Sequence, residues 1–221
     1  MAMNVSALLL SLVTGMISGF LVSVPVGPIN VTILNEGPHH GFRWGFLIGL
    51  GAVVMEVTYC GIAFAGFSNL FDSKLMRAAM ELISFMLVFY LGVKYMLAHA
   101  LVATPPSAER LAERLHPHTA FMTGFVRVLC NPMVLLFWIT LSATFVAHEW
   151  VEPNWTSKSV FLAGVAAGAL AWFVLLSFVV AHELRRFSTE TLVQLSRLSG
   201  VVLVGVALVI GWRLIGLLAT R

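Results

Sequence analysis

The sequence predicts an all-α integral membrane protein whose six transmembrane helices form an inverted 3+3 repeat, with broken helices at spans one and four. Of its 221 residues, 59% are hydrophobic and only 10% are charged, a composition too apolar for a soluble domain of this size. Six apolar windows are long enough to cross a bilayer. Proline-containing breaks interrupt the first and fourth windows at matching places in the two halves of the chain.

Short polar segments separate the six spans, and one longer polar segment lies between spans three and four. Windows of about 20 apolar residues place the spans at roughly 6–31, 44–67, 79–99, 121–147, 159–182 and 198–219. The longer segment contains a short amphipathic helix from Glu109 to Leu115, which Pro105-Pro106-Ser107 starts and Pro117 stops. The chain therefore divides into a first repeat at 1–103, a cytoplasmic amphipathic linker at 104–120 and a second repeat at 121–221.

The two breaks are the strongest indication of function in the sequence. Pro25-Val26-Gly27-Pro28 interrupts the first span, and Asn131-Pro132 interrupts the fourth. Proline removes a backbone donor, so each break exposes carbonyl groups at a depth where lipid offers no hydrogen-bond partner. Matched broken helices in two halves of a chain are typical of a transporter's substrate site. The alternative is a structural kink that lets the helices pack.

Short matches between the two halves support a repeat. Gly19-Phe20 with Pro28 parallels Gly124-Phe125 with Pro132, Phe46-Leu47-Ile48-Gly49 parallels Phe161-Leu162-Ala163-Gly164, and Gly92-Val93-Lys94 parallels Gly211-Trp212-Arg213. Because each half holds three spans, an odd number, the second half must be inverted across the membrane. Gly49, Gly164 and Gly168 are spaced for close helix packing, and glycine-rich faces would also permit a homodimer.

The distribution of lysine and arginine predicts the orientation. One side of the predicted topology collects Arg43, Lys94, Arg110, Arg114, Arg127, Arg185, Arg186 and Arg197, and the other collects Lys74, Arg77, Lys158, Arg213 and Arg221. The positive-inside rule makes the first side cytoplasmic and puts both termini outside. The small net charge of +3 gives no indication of a nucleic-acid partner. Six histidines share the cytoplasmic side, as loop residues or, alternatively, as transition-metal ligands: His39, His40, His99, His116, His118 and His182.

Glu56 is the sharpest single candidate for a functional side chain. It lies near the middle of span two, too far from either end to reach the interface. An ionised carboxylate at that depth costs a few kcal/mol, so a cation, a protonated amine or its own protonation must offset the cost. We therefore expect Glu56 to bind a substrate ammonium or to take up a proton. The alternative is a neutral Glu56 hydrogen-bonded to Asn30, Asn131 or Thr58.

The two breaks and Glu56 together suggest a site for a small zwitterion. Carbonyls freed at the breaks would accept from an ammonium group, and the N-terminus of a half-helix would receive a carboxylate. The predicted substrate-binding residues are Pro25, Gly27, Pro28, Asn30, Glu56, Asn131 and Pro132. Arg127, near the cytoplasmic end of span four, is the predicted gating residue, with a snorkelling side chain as the alternative.

At these residues the chain resembles the LysE/RhtB family of bacterial amino-acid exporters. The resemblance is carried by Val24-Pro25-Val26-Gly27-Pro28, Gly41-Phe42-Arg43-Trp44-Gly45, Gly49-Leu50-Gly51-Ala52, Gly124-Phe125 with Asn131-Pro132, and Leu198-Ser199-Gly200. It implies a secondary exporter in the bacterial cytoplasmic (inner) membrane, without enzymatic activity or cofactor, that moves amino acids or similar zwitterions in exchange for protons. Three positions depart from the family pattern: Met133 replaces a lysine, Met55-Glu56 replaces Gly-Asp, and no proline stands near Ala143.

Two other functions remain open at this stage. Wider relatives resemble metal-efflux proteins, but a divalent cation exporter would need more oxygen or sulfur ligands at the midplane than Glu56 alone. Distant relatives resemble thiol–disulfide conductors, which need two cysteines able to meet, whereas Cys60 and Cys130 fall in different spans. The sequence contains no glycine-rich phosphate loop, so nothing in it indicates transport driven by ATP.

Overall fold

The computed structural model describes residues 5–24, 27–67, 74–97, 119–147, 150–182 and 189–219, and these are helical almost throughout. The helices are α1 (Val5–Ser23), α2 (Pro28–His40), α3 (Phe42–Phe67), α4 (Lys74–Met96), α5 (Ala120–Leu129), α6 (Pro132–Ala147), α7 (Trp155–His182) and α8 (Thr189–Ala219). The predicted linker helix, together with Pro25, His99, His116 and His118, lies outside the described residues. The all-α prediction is confirmed for the part of the chain that is described.

Three described helices are long and apolar enough to cross a membrane: α1, α3 as far as Gly66, and α7. A fourth crossing is formed if α5 and α6 are taken as one span, bent by 69° at its break. In α4 and α8 the apolar stretches are shorter, Phe85–Met96 and Gly200–Trp212. The chain is thus a multi-pass membrane protein with three or four clear crossings, and its predicted third and sixth spans coincide with α4 and α8.

The first helix, α1, has small and hydroxyl side chains on its buried face and large apolar side chains on its outer face. The buried face of α1 carries only small or hydroxyl side chains: Ser11, Gly15, Ser18, Gly19 and Ser23. Its large apolar residues, among them Leu9, Val13 and Ile17, are about half exposed. Small residues let helix backbones approach in lipid, where apolar side chains gain nothing by leaving the surface.

Close backbone contacts through glycine join the helices in three pairs, α1 with α7, α3 with α5, and α4 with α8. At each of these glycines an added Cβ would run into the backbone of the facing helix: Gly15, Gly19, Gly51, Gly92, Gly124, Gly164, Gly168 and Gly200. The sequence-predicted packing role of Gly164 and Gly168 is therefore confirmed, and their contacts lie within one chain.

A tight turn joins α2 to α3 without an intervening loop. Gly41 has φ of 78°, a conformation that side chains with a Cβ rarely adopt, and its N–H donates to the Gly37 carbonyl at 2.8 Å. This turn returns the chain so that α2 packs beside α3. As a result the start of α2, at the first break, lies close to the middle of α3, where Glu56 is located.

Candidate substrate site between two broken helices

Both predicted interruptions occur where the prolines are. α1 ends at Ser23 and α2 begins at Pro28, while α5 ends at Leu129 and α6 begins at Pro132. Each proline occupies the first helical position, where its fixed φ suits the helix and its missing N–H is not needed. At each break the regular helical hydrogen bonds stop, so carbonyls at the end of one half-helix and N–H groups at the start of the next require other partners.

Asn30 provides hydrogen-bond partners for the backbone at the first break. Its Nδ2 donates to the Ser23 carbonyl at 2.9 Å and to the Val24 carbonyl at 3.4 Å, and its Oδ1 accepts from Trp172 Nε1 at 3.1 Å. The side chain is only 2% exposed. Asn30 thus satisfies the carbonyls that the sequence left for a substrate ammonium, and it ties the break to α7.

Tyr59 performs the same task at the second break. Its hydroxyl donates to the Leu129 carbonyl at 2.7 Å, at the end of α5. The chain also tightens there, since the Asn131 N–H donates to the Val128 carbonyl at 3.0 Å. Tyr59 was not among the predicted site residues, although its position three residues after Glu56 on α3 placed it on a neighbouring face.

Glu56 is buried beside these breaks. It is 7% exposed, and its Oε2 atom has no hydrogen-bond partner among the described residues. Leaving a buried polar atom unpaired is unfavourable by about 1–3 kcal/mol, and more for a charged group. Such an atom in a native protein commonly marks a place where a ligand or a proton binds.

A cavity of about 130 Å³ brings most of the predicted residues together. Gly27, Pro28, Asn30, Glu56, Arg127 and Asn131 all line it. Pro132 begins α6, the helix that contributes Val134 and Phe137 to the wall. The rest of the wall is mainly apolar or aromatic and was not predicted: Val22, Ser23, Ile29, Leu91, Tyr95, Val128, Val134, Phe137, Phe173 and Leu203.

The cavity contains groups of both charge types without pairing them. Glu56 and Arg127 both line it, and no ion pair joins them. The start of α2 also lines it, and the N-cap residue Gly27 offers no side-chain cap to the N–H groups that follow. A helix N-terminus with uncapped N–H groups attracts anions. The cavity therefore offers one anionic wall, together with a guanidinium and a helix N-terminus for an anion.

None of the described histidines and cysteines is among the residues that line this cavity. His40 Nδ1 approaches Glu36 Oε2 at 3.3 Å at the far end of α2, and its ring stacks on Trp44. Cys60 Sγ contacts Ser142 Oγ at 3.7 Å, and both cysteines are free thiols. Among the described residues, no three His, Cys, Asp or Glu side chains are placed to hold a metal ion.

The sequence is similar to that of a known protein and matches the model of a protein family. A protein of Bacillus subtilis (strain 168), named "Putative amino acid efflux protein YcgF", is 25% identical over 186 residues, which cover 84% of this chain and 87% of that protein. No solved structure matches the chain. The family model of LysE type translocators matches residues 20–213, from before the first break into the last helix. The chain therefore belongs to the LysE type translocator family.

Proposed function

We propose that this protein is a secondary transporter that exports amino acids, or similar small zwitterions, across the bacterial cytoplasmic membrane in exchange for protons. The observation that carries the proposal is the buried, unpaired Oε2 of Glu56 in a cavity between two helix breaks. Membership of the LysE type translocator family and the efflux function named for the Bacillus subtilis relative support it.

The chemistry of the cavity suits a zwitterion. The substrate ammonium binds the Glu56 carboxylate, and its carboxylate faces the N-terminus of α2 and the Arg127 guanidinium. The volume of about 130 Å³ is close to that of a cavity of about 150 Å³ that holds benzene, so the site fits a small substrate. In this assignment Arg127 binds substrate as well as gating the cytoplasmic entrance. Gly27, Pro28, Asn131 and Pro132 shape the backbone around it, as does Pro25, which lies outside the described residues.

Asn30 has a supporting role in this proposal. Because its amide already bonds the Ser23 and Val24 carbonyls and Trp172 Nε1, it holds the two half-helices in place at the first break. These two carbonyls are therefore occupied, which leaves Glu56 to bind the substrate ammonium.

Proton coupling follows from the same carboxylate. Without substrate, Glu56 faces a mainly apolar wall, which favours its neutral, protonated form. Binding an ammonium group favours the ionised form, so the proton leaves as the substrate enters. Alternation of proton and substrate on one carboxylate produces an antiport cycle, in which inward movement of protons drives export.

The proposal includes six spans arranged as an inverted 3+3 repeat, with halves at 1–103 and 121–221 joined by the cytoplasmic linker 104–120. Two helix contacts support it. Gly19 on α1 lies against the Val165 carbonyl on α7, and Gly124 on α5 lies against the Ile48 carbonyl on α3. The glycines are 105 positions apart and their partners are 117 apart.

The same two offsets recur when the roles are exchanged. Gly168 on α7 meets the Met16 carbonyl of α1, and Gly51 on α3 meets the Phe121 carbonyl of α5. Here the glycines are 117 positions apart and their partners are 105 apart, the reverse of the first two contacts. A two-fold exchange of the halves accounts for all four contacts. This exchange matches Gly51 with Gly168, an offset of 117 positions. The sequence comparison matched Gly49 with Gly164, an offset that is two positions shorter.

The contacts between α4 and α8 also come in two pairs related by one sequence offset. Gly92 on α4 packs against Val204 on α8, while Gly211 on α8 packs against Phe85 on α4. Both correspondences, Gly92 with Gly211 and Phe85 with Val204, span 119 positions. Two halves related in this way, and each able to rock against the other, support alternating access around the cavity at their centre.

The experiment that tests the proposal is counterflow in proteoliposomes. Labelled amino acids, the matching amines without a carboxylate, and divalent cations are offered with and without an imposed pH gradient. We expect uptake of one amino-acid class, stimulated by the gradient, and weaker uptake of the corresponding amine. Glu56→Gln should lower apparent affinity by about 10- to 100-fold, because a hydrogen bond to a charged group contributes about 1.5–3 kcal/mol.

The matched control is Glu190→Gln, which removes an exposed carboxylate at the start of α8 and should leave transport unchanged. Full activity of a folded Glu56→Gln variant would exclude the carboxylate from the mechanism. A flux of divalent cations, with none of amino acids, would replace the proposal by the cation exporter that the sequence left open.

A further inference from the structure

Two buried polar atoms without partners belong to neighbouring helices. Oε2 of Glu56 on α3 and Nε1 of Trp138 on α6 have no hydrogen-bond partner among the described residues. Their residues are 7% and 0% exposed. A carboxylate oxygen accepts hydrogen bonds and an indole nitrogen only donates them, so the two atoms are chemically complementary. Pairing them would remove two unfavourable buried groups at once.

Contacts between α3 and α6 place these two residues opposite each other. Glu56 lines the substrate cavity together with Phe137 of α6, the residue that precedes Trp138. Cys60 Sγ, one turn after Glu56, lies 3.7 Å from Ser142 Oγ, one turn after Trp138. The contacts advance in the same direction along both helices. Trp138 is therefore at the depth of Glu56, on the face of α6 that carries Ser142 toward α3.

Aromatic rings close the space one turn beyond this thiol–hydroxyl contact. The Phe161 ring of α7 packs against Phe64 of α3, with centroids 5.5 Å apart, and against Phe145 of α6, with centroids 5.1 Å apart. Each of the three side chains is 5% exposed or less. In such a dry environment a charge on Glu56 depends on hydrogen bonds from the groups around it.

We propose that Trp138 is a positioning residue for Glu56, and that Oε2 of Glu56 accepts a hydrogen bond from the Trp138 indole N–H when the carboxylate is ionised. The terminal torsion of a glutamate is broad, so rotation of this side chain brings Oε2 to the indole. A hydrogen bond to an ionised acceptor is about twice as strong as one between neutral groups. The bond therefore forms on ionisation and weakens when a proton returns, while Oε1 stays available to the substrate ammonium.

A neutral donor suits an exchange site better than a cation would. The indole stabilises the ionised carboxylate, yet it carries no charge that would compete with a substrate ammonium or a proton. Arg127 lines the same cavity, and no ion pair joins it to Glu56. This inference rests on the proposed transport function, to which it adds the residue that prepares Glu56 for the ammonium.

Ultraviolet resonance Raman spectra of the purified protein test the pairing without a substrate, because indole bands report whether the N–H is hydrogen-bonded. The difference between the parent and Trp138→Phe isolates the Trp138 signal. We expect a free indole at acid pH, a hydrogen-bonded indole at alkaline pH, and no such change in Glu56→Leu. That variant leaves in place the other titratable groups near the carboxylate: Tyr59, Cys60, Tyr95, Arg127 and Cys130.

Two spectroscopic results would overturn the pairing. One is a Trp138 band that does not change with pH in the parent, and the other is a change that persists in folded Glu56→Leu. If Trp138→Phe does not fold, the parent and Glu56→Leu are compared directly at the two pH values. An indole whose pH response disappears with the carboxylate then supports the same conclusion.

Counterflow tests the positioning role. Trp138→Phe keeps an aromatic ring and removes the N–H, so we expect apparent affinity to fall by about tenfold, as for one lost hydrogen bond to a charged group. Trp212→Phe, at a position that is 79% exposed, should leave affinity unchanged. Full affinity in Trp138→Phe would exclude the positioning role. Absent counterflow in the parent, with the expected spectra, would reject the proposed transport function while keeping the pairing.

Discussion

Asn30 illustrates at the residue scale how a broken helix is held in a membrane. One amide bonds the Ser23 carbonyl at the end of α1, the Val24 carbonyl that follows it and the indole N–H of Trp172 on α7, and this side chain is only 2% exposed. Lipid offers such groups no hydrogen bond, so these contacts stabilise the break. The sequence indicated that Asn30 mattered beside the break. Its partner Trp172 lies 142 positions away, a relation that no local pattern reveals.

We predict that Asn30→Ala destabilises the protein by about 2–5 kcal/mol, since up to three buried partners lose a hydrogen bond and each such loss costs about 1–3 kcal/mol less any relaxation. Thermal unfolding in detergent measures the effect. Asn35→Ala, an exposed asparagine on the same helix, should leave the midpoint unchanged. Equal midpoints for the two variants would show that the Asn30 bonds do not hold the break.

At the scale of helices, glycine contacts determine how closely neighbouring helices pack. α1 meets α7, and α3 meets α5, through glycines that face backbone atoms directly. Glycine is a poor helix former in water, yet here it removes the only atom that would keep the backbones apart. The glycine spacing predicted that these helices pack closely. It did not reveal which helix each would meet, because the exposed faces of several spans have similar composition.

We predict opposite effects for two glycine-to-alanine substitutions. Gly168→Ala places a Cβ into the Met16 carbonyl of α1, so the pair must separate, at a cost of about 1–3 kcal/mol or more for an overpacked contact. Gly205→Ala on α8 meets open space, and we expect a gain of about 0.5–1 kcal/mol from helix propensity. Chemical denaturation in mixed micelles compares the two. A neutral Gly168→Ala would contradict the close approach of α1 and α7.

The sequence was sufficient to predict the class of the whole molecule, the position of both breaks and the convergence of Glu56 with residues of both breaks on one cavity, but it did not place Arg127 in that cavity. These follow from local chemistry: proline in an apolar run, and a charge where lipid tolerates none. The cavity wall was largely missed, because Phe137, Phe173 and Tyr95 resemble any other lipid-facing or buried aromatic residue. The proposed residue-by-residue correspondence between the two halves also had to be taken from helix contacts, because apolar segments match one another at several sequence offsets.

The two-fold exchange makes one further prediction about the whole molecule. The offset of 117 that relates α3 to α7 pairs Glu56 with Phe173, and both side chains line the cavity. If the proposed exchange extends to the site, the backbone around the cavity is symmetric while its side chains are not. Exchanging the two residues keeps the total side-chain volume and moves the carboxylate to the opposite wall. We expect Glu56→Phe to weaken counterflow strongly and the double variant with Phe173→Glu to restore part of it.

The expected recovery is about tenfold or more in apparent affinity over Glu56→Phe alone, which is the contribution of one hydrogen bond to a charged group. Phe173→Glu alone is the matched control. It puts two carboxylates into one small cavity, and their repulsion should weaken net binding or require an additional proton. A double variant that folds and binds no better than Glu56→Phe would mean that the two walls are not interchangeable. The exchange of halves would then describe how the helices pack, without extending to the site that they enclose.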